Sequence, residues 1–258
     1  MSVIWNPWHG CTKISSGCRH CYMYRRDAEF GKDSSIVTKT SSFKAPVMRN
    51  RRGEYKMQPD DGLVFTCFTS DFFHPDADEW RREAWTMMKE RSDLTFYFIT
   101  KRPERFYASL PDDWDQGWDN IRICCTCEDQ YEADRRLPVF LNLPIRHKSV
   151  IVEPMLQRVS LAKFYQEYPG QIEEVTCGGE SGPDARLCDY EWVMQLMLEC
   201  VQYSVPFHFM QTGTNFQKGG HLYFIKDHRD QISQASKAQI DYKPIKPMPS
   251  ADHPAGNL

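Results

Sequence analysis

The 258-residue chain has little net charge, −3 from 32 basic and 35 acidic residues, so no global field marks it for a polyanion. A local basic patch would be hidden in that sum: Arg25–Arg26, Arg49 with Arg51–Arg52, Arg81–Arg82 and Arg135–Arg136 occur as pairs or a cluster. No apolar run approaches the ~20 residues of a membrane span. The opening MSVIWNPWHGC lacks the charged-then-apolar order of a secretory leader. These absences predict a soluble, cytoplasmic chain with no membrane partner. Cytosolic thiols stay reduced, so the ten cysteines are not expected to form a disulfide framework. They remain as metal ligands, catalytic thiols or buried apolar residues.

Hydrophobic residues make up 41% of the chain, enough for a substantial core. Short runs rich in β-branched, aromatic or Cys residues recur, and each ends abruptly in polar residues. Leu63–Thr69 ends in Ser70–Asp71, Thr95–Thr100 in Lys101–Arg102, Ile121–Cys127 in Glu128–Asp129, and Ser149–Val152 in Glu153. Glu174–Cys177 ends in Gly178-Gly179-Glu180-Ser181, and Pro206–Met210 in Gln211-Thr212-Gly213. With Val3–Trp5 in front, there are seven candidate strands. The later ones recur every ~25–30 residues, room for a strand, a helix and two short loops, the unit of a parallel sheet. Helical spacing marks Asp76–Arg91 and Tyr190–Tyr203, the second with Asp189 as its N-cap; a further helix is expected over Tyr22–Phe30.

The pattern predicts an α/β fold, a partial or complete (β/α) barrel with parallel strands. In such barrels the loops after the strands form the active face. The polar strand ends are therefore candidate site residues, set against the plainer reading that strands stop where loops begin. The barrel domain is expected over residues 1–234, with an insertion at about 31–61 read as a loop over the mouth. Residues 235–258, rich in Lys, Pro, Ser and Ala, read as an extended tail.

Directly after the first candidate strand comes Trp5-Asn-Pro-Trp-His-Gly-Cys11-Thr-Lys-Ile-Ser-Ser-Gly-Cys18-Arg-His-Cys21-Tyr22, a C-x6-C-x2-C loop. Gly10 and Gly17 let the backbone turn tightly before two of the cysteines. Three converging thiolates suit zinc or an iron–sulfur cluster. A [4Fe–4S] cluster held by Cys11, Cys18 and Cys21 would keep one iron open. A structural zinc needs a fourth ligand, which His9 or His20 could supply. A disulfide with one free thiol, or three unrelated buried cysteines, completes the alternatives.

The C-x2-C-aromatic ending after a first strand resembles the cluster loop of radical S-adenosylmethionine (SAM) enzymes, with a first gap of six residues where three is usual there. The chain is most similar to a phage- and bacteria-associated radical-SAM-like family. WNPWHGC, SSGCRHCY, SDFFH, TKRPERF, EPML, GGESGPDAR and VPFHFMQTG carry that resemblance from residue 5 to about 213. It implies a barrel of the radical SAM type, a [4Fe–4S] cluster on Cys11, Cys18 and Cys21, SAM on the open iron and an external electron donor. The chemistry implied is reductive cleavage of SAM to a 5′-deoxyadenosyl radical that takes hydrogen from the substrate.

Roles follow from the resemblance by position. Tyr22 is expected near the adenine, Ser70 and Asp71 at the methionyl amino group, and Lys101 or Arg102 at its carboxylate. Glu128 is expected at the ribose hydroxyls, Glu153 at a SAM or substrate amine, and Gly178, Gly179 and Glu180 beside the cofactor. Buried structural thiols are the default for Cys67, Cys124, Cys125, Cys127 and Cys177, with Cys127 as the candidate catalytic thiol. Gln211 is a substrate-contact candidate, and Arg51 and Arg52 candidate phosphate contacts. The specific expectation is an isomerase-class step of phage DNA hypermodification in bacterial or phage-infected cytoplasm. An amino-acid group on a thymine methyl would move its bond from nitrogen to carbon. RNA, a nucleotide or a peptide is the alternative radical substrate; a zinc-stabilised nucleic-acid-binding protein is the alternative class.

Overall fold

Apolar and β-branched runs that are buried on both faces form parallel strands, because helices cover both sides of such a sheet. The computed structural model describes residues 3–244. All seven expected strands are present: β1 (Val3–Trp5), β2 (Leu63–Thr66), β3 (Thr95–Thr100), β4 (Ile121–Thr126), β5 (His147–Val152), β6 (Glu174–Gly178) and β7 (Phe207–Gln211). They lie side by side in chain order, and every neighbouring pair is parallel. The sheet curls into a half-barrel with β1 and β7 as its edges. Parallel strands put all seven C-terminal ends on one rim.

The helices are α1 (Tyr22–Glu29), α2 (Asp78–Glu90), α3 (Gln130–Leu141), α4 (Ala162–Glu167), α5 (Tyr190–Gln202) and α6 (His228–Lys237). Three of them start on a carboxylate cap: Asp129 accepts from Glu132 N and Asp189 from Glu191 N, each at 2.9 Å, and Asp227 from Arg229 N at 2.7 Å. Aromatic residues pack α2 onto the sheet. Phe72 stacks on Phe98 with centroids 4.4 Å apart, and Trp85 meets Phe72 edge-on at 4.8 Å. A small second sheet joins Leu187–Asp189, Asn215–Lys218 and His221–Phe224 beside the rim. Among the described residues, no helix is long and apolar enough to cross a membrane.

Three expectations are corrected. The second strand stops at Thr66 rather than Thr69, because Cys67 takes a left-handed backbone with φ of 63°. The insertion does not close over the mouth. Its first part braces the cysteine loop, pairing Thr38–Lys39 with Trp8–His9. Its second part, with the Arg49–Tyr55 bridge, sits at the far end of α2, where Tyr55 donates to Glu90 Oε1 at 2.7 Å. Arg91 holds it there, donating to Pro46 O at 2.5 Å and Met57 O at 2.9 Å. The chain also stays packed past residue 234. Ala235 is buried in α6, and Tyr242 pairs with Phe207, covering the β7 edge. Residues 245–258 of the expected tail lie outside the described residues.

Candidate functional site

The loop between β1 and α1 carries the three spaced thiols to the rim. Gly10 is required at its start: φ is +100°, and a Cβ there would lie 2.3 Å from Ile36 O. Gly10 N donates to Thr69 O at 3.0 Å and Cys11 N to Ser34 O at 2.8 Å, so the first thiol is fixed from two sides. A 3-10 turn over Ser16–Cys18 presents the second, and Cys21 precedes α1. All ten cysteines are free; Cys11, Cys18 and Cys21 are half-buried, and the other seven are buried.

Tyr24 feels all three loop thiols. Burial first, then Cys11, Cys21 and Cys18, push its hydroxyl up to about 12, and that hydroxyl donates to Cys11 O. Burial likewise pushes the Cys11 thiol up to about 11, with Asp71 adding to the rise and Arg102 opposing it. Among the described residues, no group of three or more His, Cys, Asp or Glu side chains is placed so that it could hold a metal ion. The donor types on the loop fit a thiophilic centre in their chemistry: three half-buried free thiols, with no disulfide competing for them.

The expected SAM ligands are engaged largely in holding this loop. Asp71 and Arg102 are both buried and pair with each other at 3.3 Å. Asp71 also accepts from Thr100 Oγ1 at 2.8 Å and from Phe73 N and Lys101 N at 2.9 Å. Arg102 Nη1 lies 3.7 Å from Cys11 Sγ, and its Nη2 donates to Thr12 O at 2.9 Å. Ser70 Oγ donates to Gly10 O. These three thus hydrogen-bond within or beside the loop that carries Cys11.

Glu128 is engaged in the same way, and it is fully buried. It accepts from Ser15 Oγ, from Gly17 N at 3.1 Å and from Arg136 Nη1 at 2.7 Å, with Lys101 Nζ 3.9 Å away. Burial alone would raise its carboxyl; Lys101, Arg136 and the Ser15 hydrogen bond outweigh that and hold it at about 2. Glu180 is bound by Arg186 at 2.6 Å and meets His20, inside the C-x2-C segment, at 3.3 Å. Gly179 serves chain packing, since a Cβ there would lie 2.2 Å from Thr212 O.

The groups left facing the mouth are few. Tyr22 is 51% exposed, and its hydroxyl donates to Phe68 O. Lys101 is half-buried, with its ammonium 3.9 Å from Glu128 Oε2. Glu153 is half-buried, accepts from Gln211 Nε2 and borders Gly178, where a Cβ would lie 3.1 Å from its Oε1. Burial raises the Glu153 carboxyl, against smaller opposing effects of Gln211, His228 and Lys101. Cys127 is fully buried and does not reach the mouth. Arg51 and Arg52 stand in the far part of the insertion, away from the thiols, and are not part of this site.

Several residues of the site carried no assigned role in the sequence. Thr12 Oγ1 lies 3.0 Å from His74 Nε2, and Arg136 and Arg186 hold the two carboxylates behind the loop. His74 ends the SDFFH block, which is the one signal that could have found it. Residues 1–245 match the family described as protein of unknown function (DUF5131), and the chain belongs to it. No curated protein and no solved structure matches the chain.

Proposed function

We propose that this member of the DUF5131 family is a radical SAM enzyme that acts on a nucleic-acid base, with isomerisation of an amino-acid-modified thymidine in DNA as the specific reaction. The observation that carries the reading is the sorting of thiols: seven cysteines are buried, while the three on the loop after β1 are accessible at the rim of a parallel half-barrel. Cys11, Cys18 and Cys21 would hold a [4Fe–4S] cluster. When bound, the cluster and SAM supply a carbon-centred radical that removes hydrogen from the substrate.

The chain's own residues do the rest. Arg102 and Tyr24 fix Cys11, and Glu128 fixes the turn that presents Cys18. Lys101 offers an ammonium to a carboxylate at the mouth, on SAM or on an amino-acid substituent of the base. Glu153, with its carboxyl raised by burial, can hold or pass a proton at a substrate nitrogen, and Gln211 orients it.

The test uses anaerobically reconstituted protein with SAM, a reductant and an oligonucleotide bearing an amino-acid-substituted thymine. The expected product is a base of unchanged mass and altered chromatographic retention. Glu153→Gln should lower turnover by about 10²-fold while SAM binding is retained. SAM consumption with every DNA base unchanged would contradict the DNA reading and point to RNA, a nucleotide or a peptide.

A further inference from the structure

After β7 the chain forms a hairpin, Asn215–Lys218 and His221–Phe224, joined by Gly219-Gly220. Both glycines have positive φ, +56° and +78°, as a tight two-residue turn requires, and open space surrounds them. The first strand is anchored. Phe216 is buried, Asn215 Nδ2 donates to Ala185 O at 2.5 Å, and Gln217 Nε2 donates to Asp189 Oδ2 at 3.0 Å. The second strand is an edge and is exposed along its whole length: Leu222 is 65%, Tyr223 48% and Phe224 68% accessible. Three large apolar side chains in a row on an open edge are an association liability unless something covers them.

The surroundings say what kind of partner does. Lys218 and His221 precede the apolar run and Lys226, His228 and Arg229 follow it, against Asp227 and Asp230. Asp227 caps α6 by accepting from Arg229 N at 2.7 Å, and the same carboxylate lies 3.9 Å from Arg229 Nε, leaving the Arg229 side chain 94% exposed. The hairpin also stands at the mouth. Thr214 N, at its base, donates to Glu180 O at 2.8 Å, and His228, just beyond it, is within electrostatic reach of Glu153. Leu222 and Phe224 share one face and are about 6.8 Å apart by two strand rises, twice the ~3.4 Å spacing of stacked bases.

We propose that this hairpin is a nucleic-acid grip at the barrel mouth, with Leu222 and Phe224 stacking beside unpaired bases and Lys218, Lys226 and Arg229 meeting phosphates. The proposal rests on the nucleic-acid reading above but not on the cluster. It takes the phosphate-binding role that the position of Arg51 and Arg52 leaves open. Stacking on an apolar or aromatic side chain tolerates any base, so the grip favours single-stranded or locally opened DNA over intact duplex.

The test is fluorescence anisotropy of a labelled single-stranded oligodeoxynucleotide and its duplex, titrated with the full chain. Phe224→Ser should weaken single-strand binding about tenfold. Lys226→Gln with Arg229→Gln should flatten the slope of log affinity against log salt by about 0.7 per cation removed. Both sets of residues are exposed, so the folds of the variants are expected to be unchanged, as circular dichroism checks. Cys18→Ala should bind DNA as the wild type does, which separates failure of the grip from failure of the radical reading. Unchanged affinity in Leu222→Ser/Phe224→Ser would overturn the proposal. So would sedimentation showing that these changes abolish self-association instead, because the occupant would then be a second copy of the chain.

Discussion

Cys18→Ala is expected to abolish iron retention after reconstitution, and with it all SAM cleavage, while leaving the protein folded. The side chain is half-buried on a 3-10 turn, and its thiol meets Ser15 Oγ at 3.7 Å. Its removal opens no core cavity, so thermal stability should change by less than about 0.5 kcal/mol. Cys200→Ala makes the control. That thiol is fully buried and lies 3.4 Å from the Tyr165 hydroxyl, so its loss should cost about 1–2 kcal/mol with iron content unchanged. Iron and sulfide analysis with a melting curve on each variant checks both. Equal iron in Cys18→Ala and wild type would remove this loop from any account of metal binding.

The second large effect is Glu128→Gln. The carboxylate ties the 15–17 turn to Arg136, and both charged partners are buried. Removing one member of a buried pair costs about 3–5 kcal/mol. Arg136 keeps Glu132 at 2.9 Å, which places the expected loss near the lower end. The pH dependence has a definite sign. Glu128 is held at about 2, below the ordinary 4.5, so its contribution is complete above pH 4.5 and fades as pH falls through about 2. The gap between wild type and Glu128→Gln in urea melts should therefore be wide at pH 7 and shrink toward pH 2. A gap independent of pH would show that Glu128 is not ionised in the folded protein. The same variant should lose iron faster, because the turn presenting Cys18 loses its anchor.

Much of the framework was legible because it is local. Each parallel strand is a short apolar run, and each run's polar end marks the rim. The Asp189 cap lies immediately before its helix. The start of β5 was read two residues late because Lys148 lies inside it; the strand tolerates that ammonium by giving it Leu141 O at 2.9 Å and Gln171 Oε1 at 2.6 Å. What the sequence could not reveal is pairing at a distance. Asp71 and Arg102 are 31 residues apart, and Ser15 and Glu128 are 113 apart. Read singly, each is a free polar residue at a strand end; read in the fold, they hold one another and the cysteine loop. The hairpin escaped for a different reason. Its strands have four residues each, and the second is exposed at every position, so it gives no inside–outside alternation.

The central claim is that Cys11, Cys18 and Cys21 hold a [4Fe–4S] cluster with a site open to SAM. Electron paramagnetic resonance of the anaerobically reconstituted, dithionite-reduced protein tests it most directly. The account predicts a reduced [4Fe–4S] signal that shifts when SAM is added and is absent from Cys18→Ala. A colourless protein carrying one zinc, or a cluster signal indifferent to SAM, would contradict it.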